Sequence, residues 1–166
     1  MSAIATGMVF IHSCPNAMRQ HVEWAISRAL ARPSTLSWST QPALREQSRA
    51  EYHWMGSAGS AALVASELAK WSQLRFEVTE NSVDGRDGGR WCYTPSLGMY
   101  SSQTDALGNL VVPENRLRAV AEFAQGDADL LGEGIRRLLG DAWDLELDVF
   151  RQATDSESVR WLNRVG

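Results

Sequence analysis

Lysine is nearly missing from this chain: of its sixteen basic residues all but Lys70 are Arg. A GC-rich genome is the commoner cause of such a bias, and a role for guanidinium in phosphate or carboxylate binding is the other. Cysteine is almost as scarce. Cys14 and Cys92 make neither a CxxC pair nor a metal-ligand spacing, so no metal site and no cofactor is expected from them. Long apolar runs are absent too, and nothing approaches the ~20 residues of a membrane span. Met1 to Thr6 has no charged start and Met8–Ile11 is too short for a signal peptide, so the chain reads as cytoplasmic, with reduced thiols. It carries no internal repeat and no low-complexity stretch.

Excess positive charge is also lacking. The net charge is −4; residues 1–80 hold seven basic and six acidic groups, whereas 127–157 hold nine acidic and three basic. Nucleic-acid binding depends on cations neutralising phosphates, so this balance argues against it. The acidic region reads as a solvated face or as a match for a basic partner.

What the chain does have is length and aromatic content. Its 166 residues suit one domain, 1–166, able to bury roughly 70% of its unfolded surface, and seven Trp can anchor a core. Met8, Val9, Phe10 and Ile11 are apolar in both parities, which predicts a strand covered on both faces. Pro15 suits a first helical turn, and from Asn16 the residues Met18, Val22, Ala25, Ile26, Ala29 and Leu30 fall on one helical stripe. Thr35–Thr40 and Arg49–Trp54 alternate and predict an antiparallel pair. Gly56–Gly59 leads into a second helix over Ala61–Ala69, and Leu74–Thr79 alternates as a fourth strand.

The order β-α-β-β-α-β over 7–80 predicts an α+β fold of ferredoxin-like, split βαβ type, with an antiparallel sheet and both helices on one face. Residues 81–166 then form an extension that packs on this core, with strands at 90–94, 97–103 and 110–112 and helices from Glu114 and from about Asp129 to Gly140. Residues 141–151 suit a helix through Trp143, Leu147 and Phe150, although Leu145, Leu147 and Val149 also alternate with acids as a strand would. The apolar Val159–Leu162 should pack back on the body.

His12-Ser13-Cys14, at the end of the first strand and the start of a helix, is the sharpest chemical candidate. A thiol there feels the helix dipole and a neighbouring imidazole, and free N–H groups could hold an anion. A buried structural cysteine is commoner, and no Asn or Asp at a recognisable spacing completes a triad. His53 could share a sheet face with His12, whereas His21 reads as a surface residue. The glycines before the second helix lack the lysine and spacing of a phosphate loop. The β-α-β-β-α-β order is also that of the RNA-recognition motif, but Arg49–Trp54 has no glycine and places Glu51 on the wanted face. Glu77 and Glu80 flank the fourth strand, and Asp141, Asp144, Glu146 and Asp148 cluster later; neither group reads as catalytic.

Several phrases together resemble a known family: Gly7–Ser13, His21–Ala25, Leu74–Glu80, Thr94–Gly98, Val111–Arg118, Trp143-Asp144 and Val159–Leu162. It is an actinobacterial family catalogued as domain of unknown function 3145, and the resemblance spans nearly the whole chain. The family supplies no activity or catalytic residues to carry over. It implies an accessory role beside fatty-acid synthesis, with a synthase or an acyl carrier as partner. An acyl carrier is acidic, so the expected contact is Arg19, Arg28 and Arg32 rather than the acidic tail. Two functions follow: a non-catalytic binding or regulatory protein acting through a protein surface, or a small-molecule (anion or acyl) site, possibly an enzyme's, around His12, Ser13, Cys14 and His53. A pocket lined by His12 would favour the second. Oligomeric state is open.

Overall fold

The apolar run around Val9 becomes the longest strand of a seven-stranded open antiparallel sheet. A computed structural model describes residues 3–162, with side chains through 153. In chain order the elements are β1 (Ile4–Pro15), a 3-10 turn (Asn16–Met18), α1 (Arg19–Ala29), β2 (Ser39–Thr40), β3 (Gln47–Ser57), α2 (Ser60–Leu68), β4 (Arg75–Glu80), β5 (Gly88–Thr94), β6 (Gly98–Thr104), β7 (Leu110–Val111), α3 (Glu114–Ala124), α4 (Ala128–Leu139) and α5 (Asp141–Leu162). The spatial order is β2-β3-β1-β4-β5-β6-β7, and every neighbouring pair is antiparallel. The fold is thus mixed α and β, as expected.

Side chains alternate across β1. Ala5, Val9 and Ile11 point to the face covered by α1 and α2, where they join Trp54, Phe76, Val78, Val22, Ile26, Val64 and Leu68 in one buried cluster. At about 1.5–3 kcal/mol for each large apolar side chain buried, this cluster carries most of the apolar stabilisation. Its small residues matter as well. A Cβ on Gly7 would sit 1.8 Å from the carbonyl oxygen of Thr79, the acceptor of the Trp54 Nε1–H at 3.1 Å, so only glycine lets β4 and the indole approach there.

The opposite face is covered in part. α5 crosses it, and Leu147 closes over Cys92 and Tyr100, with Trp143 and Leu110 packed alongside. Met8, Phe10 and His12 remain half-buried, so the expected double coverage of residues 8–11 holds fully on the α1/α2 side and only partly on the other.

Three other expectations meet differences or their limit. The second strand is two residues long, because residues 35–38 bond elsewhere: Leu36 N–H and Trp38 Nε1–H both donate to Glu23 Oε1, at 2.9 and 3.0 Å. Residues 141–151 are helical, with Leu145 and Val149 exposed while Leu147 and Phe150 are buried. The packing expected for Val159–Leu162 lies outside the described side chains.

Candidate functional site

The geometry of the site begins with a bulge. Ile11 pairs with Phe76 and Ser13 with Arg75, so two steps of β1 meet one step of β4; on the other side Ile11 pairs with Ala50 and Cys14 with Ser48. The extra residue inverts the alternation of β1 beyond it. His12 stays on the α5 face, and Ser13 joins it, its Oγ accepting from Arg75 Nη1 at 3.2 Å. Cys14 turns into the core beneath α1 and α2.

On the α5 face, Glu77 of β4 gathers the donors. It is 8% exposed, and a carboxylate so placed must be paired. His12 Nε2 lies 2.6 Å from Glu77 Oε2 and Arg90 Nη2 donates to Oε1 at 2.8 Å. Arg151 reaches from α5, donating from Nε to Oε2 at 3.2 Å and from Nη2 to Oε1. Asp144 completes the set by accepting from Arg90 at 2.5 Å and from Arg151 at 3.1 Å. Burial alone would push the Glu77 carboxyl up; the hydrogen bonds from His12, Arg151 and Arg90 outweigh it and hold the group far below the usual carboxylate range. An ionised carboxylate only accepts, so Nε2 of His12 carries a proton and the ring orientation is fixed.

Beside this network lies an open cavity of about 270 Å³, walled by Phe10, His12, Arg49, Glu51, Glu77 and Arg151. The Phe10 and His12 rings lie nearly parallel, 9° apart in plane with centroids separated by 6.2 Å. The Nε–H of Arg49 is buried without a hydrogen-bond partner among the described residues. Unpaired buried donors are rare and costly. The cavity therefore offers one aromatic wall, an imidazole whose orientation is set by a carboxylate, and a guanidinium with bonding capacity to spare. Chemically it has the groups to receive a small oxyanion.

The structure divides the residues expected from sequence. His12 lines the cavity and Ser13 sits just behind it. Cys14 is sealed on the other side of the sheet, where burial, opposed only by Arg19, pushes its thiol up to about 12. His53 opposes Met8 and so shares the face of His12, but it is exposed and does not line the cavity. His21 is an exposed residue between Trp24 and Trp71, with ring centroids 5.2 and 5.3 Å away. Arg19, Arg28 and Arg32 are all exposed. Arg19 and Arg28 are about two and a half turns apart on α1 and leave it on opposite sides. The helix start after Gly56–Gly59 already holds an anion of the chain's own: Glu80 accepts from the N–H of Gly59 at 2.7 Å and of Ala61 at 3.0 Å. Glu77 and Glu80 are thus not a pair, since they serve opposite faces.

The acids of α5 are more than a solvated face: Asp144 and Asp148 bind Arg151, and Glu146 accepts from Ser96 Oγ at 2.5 Å. Arg49, Arg90 and Arg151 were not among the candidates. Their one sequence signal was Glu77, a charge in a strand otherwise fit for burial, while its partners depended on register and on where α5 docks.

Among the described residues no group of three or more His, Cys, Asp or Glu is placed to hold a metal ion, and no helix is long and apolar enough to cross a membrane. A family model described as Protein of unknown function (DUF3145) matches residues 8–164, nearly the whole chain. No curated protein and no solved structure matches.

Proposed function

We propose that this chain, which belongs to the DUF3145 family, is a non-catalytic binding protein for a small oxyanion held between Arg49 and His12 on the open part of the sheet. One observation carries the reading: Arg49 lines the cavity while its buried Nε–H lacks a partner among the described residues. Burying that donor costs stability unless a ligand completes it. The parallel Phe10 and His12 rings suit an apolar body behind the anionic head, so a short acyl carboxylate fits better than a bare phosphate. That preference agrees with the place beside fatty-acid synthesis, in the cytoplasm, that the family resemblance implies. Cys14 lies on the other side of the sheet, so this reading involves no covalent step through its thiol. Within this proposal we read residues 7–80 as a ferredoxin-like core, given their strand order β2-β3-β1-β4, with the later elements as an extension that walls the cavity through Arg151.

Calorimetric titration with butyrate and with inorganic phosphate tests it. Butyrate is expected to bind at millimolar strength or better and phosphate more weakly, with Arg49→Ala and His12→Ala each weakening butyrate at least about tenfold and Cys14→Ala leaving it unchanged. Wild-type protein that binds neither probe contradicts the reading.

A protein partner on the first half of the chain is the second proposal, favoured by Arg19 and Arg32, exposed cations whose guanidinium groups, among the described residues, bond only to backbone carbonyls. Affinity purification that recovers a fatty-acid synthesis component from wild type, and loses it with Arg19→Glu/Arg32→Glu, supports this. Recovery unaffected by the two reversals contradicts it.

A further inference from the structure

The strongest unexplained surface is the helical hairpin α3–α4. The two helices pack on each other, with Val120 closing against the helix at Gly134. The hairpin is fastened at its base, where Tyr100 Oη donates to the carbonyl of Leu138 at 2.7 Å and Gly140 caps α4. Beyond that base it stands away from the sheet. Phe123 is 77% exposed, and Leu117, Leu130, Ile135 and Leu139 are exposed as well. Between the helices Phe123, Val120, Leu130 and Leu138 line an open groove of about 480 Å³. Leu117, Ile135 and Leu139 lie outside this groove; an open apolar groove with Phe123 so exposed on its rim marks an interaction site.

Charge along the hairpin selects the occupant. The base half, residues 114–119 and 134–139, carries Arg116, Arg118, Arg136 and Arg137 against a single acid, Glu114. The tip half, residues 120–133, carries Glu122, Asp127, Asp129 and Glu133 and no basic residue. Two local pairs, Arg118 with Glu114 and Arg137 with Glu133 at 3.5 Å, are highly exposed and absorb little of this asymmetry. A surface that is basic at one end and acidic at the other complements itself under a two-fold axis. Side by side with tips together, two hairpins would set four acids against four. Reversed, each acidic tip meets a basic base and the apolar faces meet between them.

We infer that the chain forms a homodimer in which two α3–α4 hairpins pack antiparallel, base to tip, as a four-helix bundle. The partner this surface fits is a second copy of the same chain. The inference does not rest on the oxyanion site, which lies on another part of the molecule.

Sedimentation equilibrium on the full chain over micromolar to near-millimolar concentrations tests it. Wild type is expected to sediment as a dimer. Phe123→Asp is expected to weaken association at least about 30-fold while keeping the wild-type circular dichroism, since the side chain supports little of its own fold. Two charge reversals test orientation: Arg136→Glu/Arg137→Glu makes the base net acidic beside an acidic tip, and Glu122→Arg/Asp129→Arg/Glu133→Arg makes the tip net basic beside a basic base. Each alone should be monomeric, and an equal mixture should dimerise. A monomeric wild type would assign the hairpin to a different molecule and overturn the inference. So would a dimer that survives Phe123→Asp, or a mixture that stays monomeric.

Discussion

The two faces of the sheet are held down by different physics. On the α1/α2 face the contacts are apolar and close, from Val9 and Ile11 through Trp54 and Phe76 to the stripes of both helices. On the α5 face the buried cluster among the described residues is small, Cys92, Tyr100 and Leu147, and the span from β5 to β1 is held by Arg90 and Arg151 converging on Glu77 and Asp144. Apolar packing tolerates any pH but leaves no room for a ligand. A buried ion network adds little net stability relative to an apolar replacement, is expensive to break one partner at a time, and leaves polar groups and a cavity at its margin. The first face keeps the fold, and the second has the means to bind something.

Breaking each face should give different signatures. Phe76→Ala removes a ring wholly buried and stacked on Tyr93 at 5.3 Å, and is expected to cost about 3–5 kcal/mol in urea denaturation, equally at neutral and acid pH. Glu77→Ala removes the buried acceptor shared by His12, Arg90 and Arg151, leaving the two guanidinium groups only the more exposed Asp144 and Asp148 among the described residues, and is expected to cost about 3 kcal/mol at neutral pH, with the cost shrinking in acid. The sign follows from linkage. A carboxyl whose ordinary value is 4.5 is held far below it in the folded protein. Its contribution is therefore complete above that value and is withdrawn as pH falls through the folded value. Unfolding free energy measured from about pH 6 to about pH 3 should thus drop more steeply in wild type than in Glu77→Gln; parallel curves would show that Glu77 is not held this way.

Smaller effects sharpen the contrast. Cys14 and Cys92 lie on opposite faces, yet burial pushes both thiols up to about 12. A thiol reagent at mildly alkaline pH should label neither in the native protein and both in urea. Native labelling of Cys14 alone would reopen it as a nucleophile. Arg118→Ala, at an exposed pair with Glu114 on α3, should move stability by less than about 0.5 kcal/mol.

Much of this was legible before folding. The β1-α1 start, the alternation of β4, the breaks at Pro113 and Gly140 and the helical stripe through Trp143, Leu147 and Phe150 are all local signals, and each element formed where its signal lay. His12 was legible as a candidate for the same reason, sitting where an apolar strand meets a polar turn. What failed was everything that depends on register. The bulge at His12 and Ser13 sends Cys14 to the other face, and no composition rule announces an extra residue in a strand. Thr35–Trp38 alternates like a strand, yet Glu23 takes its donors. Arg49, Arg90 and Arg151 converge from strands and a helix far apart in sequence, so only the paired sheet brings them to Glu77 and the cavity.

The chain has three histidines, at 12, 21 and 53, and only the first lines the cavity. Nitrogen-15 spectra of the imidazole rings during a butyrate titration at constant ionic strength therefore address the binding face directly. The His12 ring signals are expected to shift and saturate while those of His21 and His53 stay in place. Rings that all remain still, or that drift together without saturating, would contradict it.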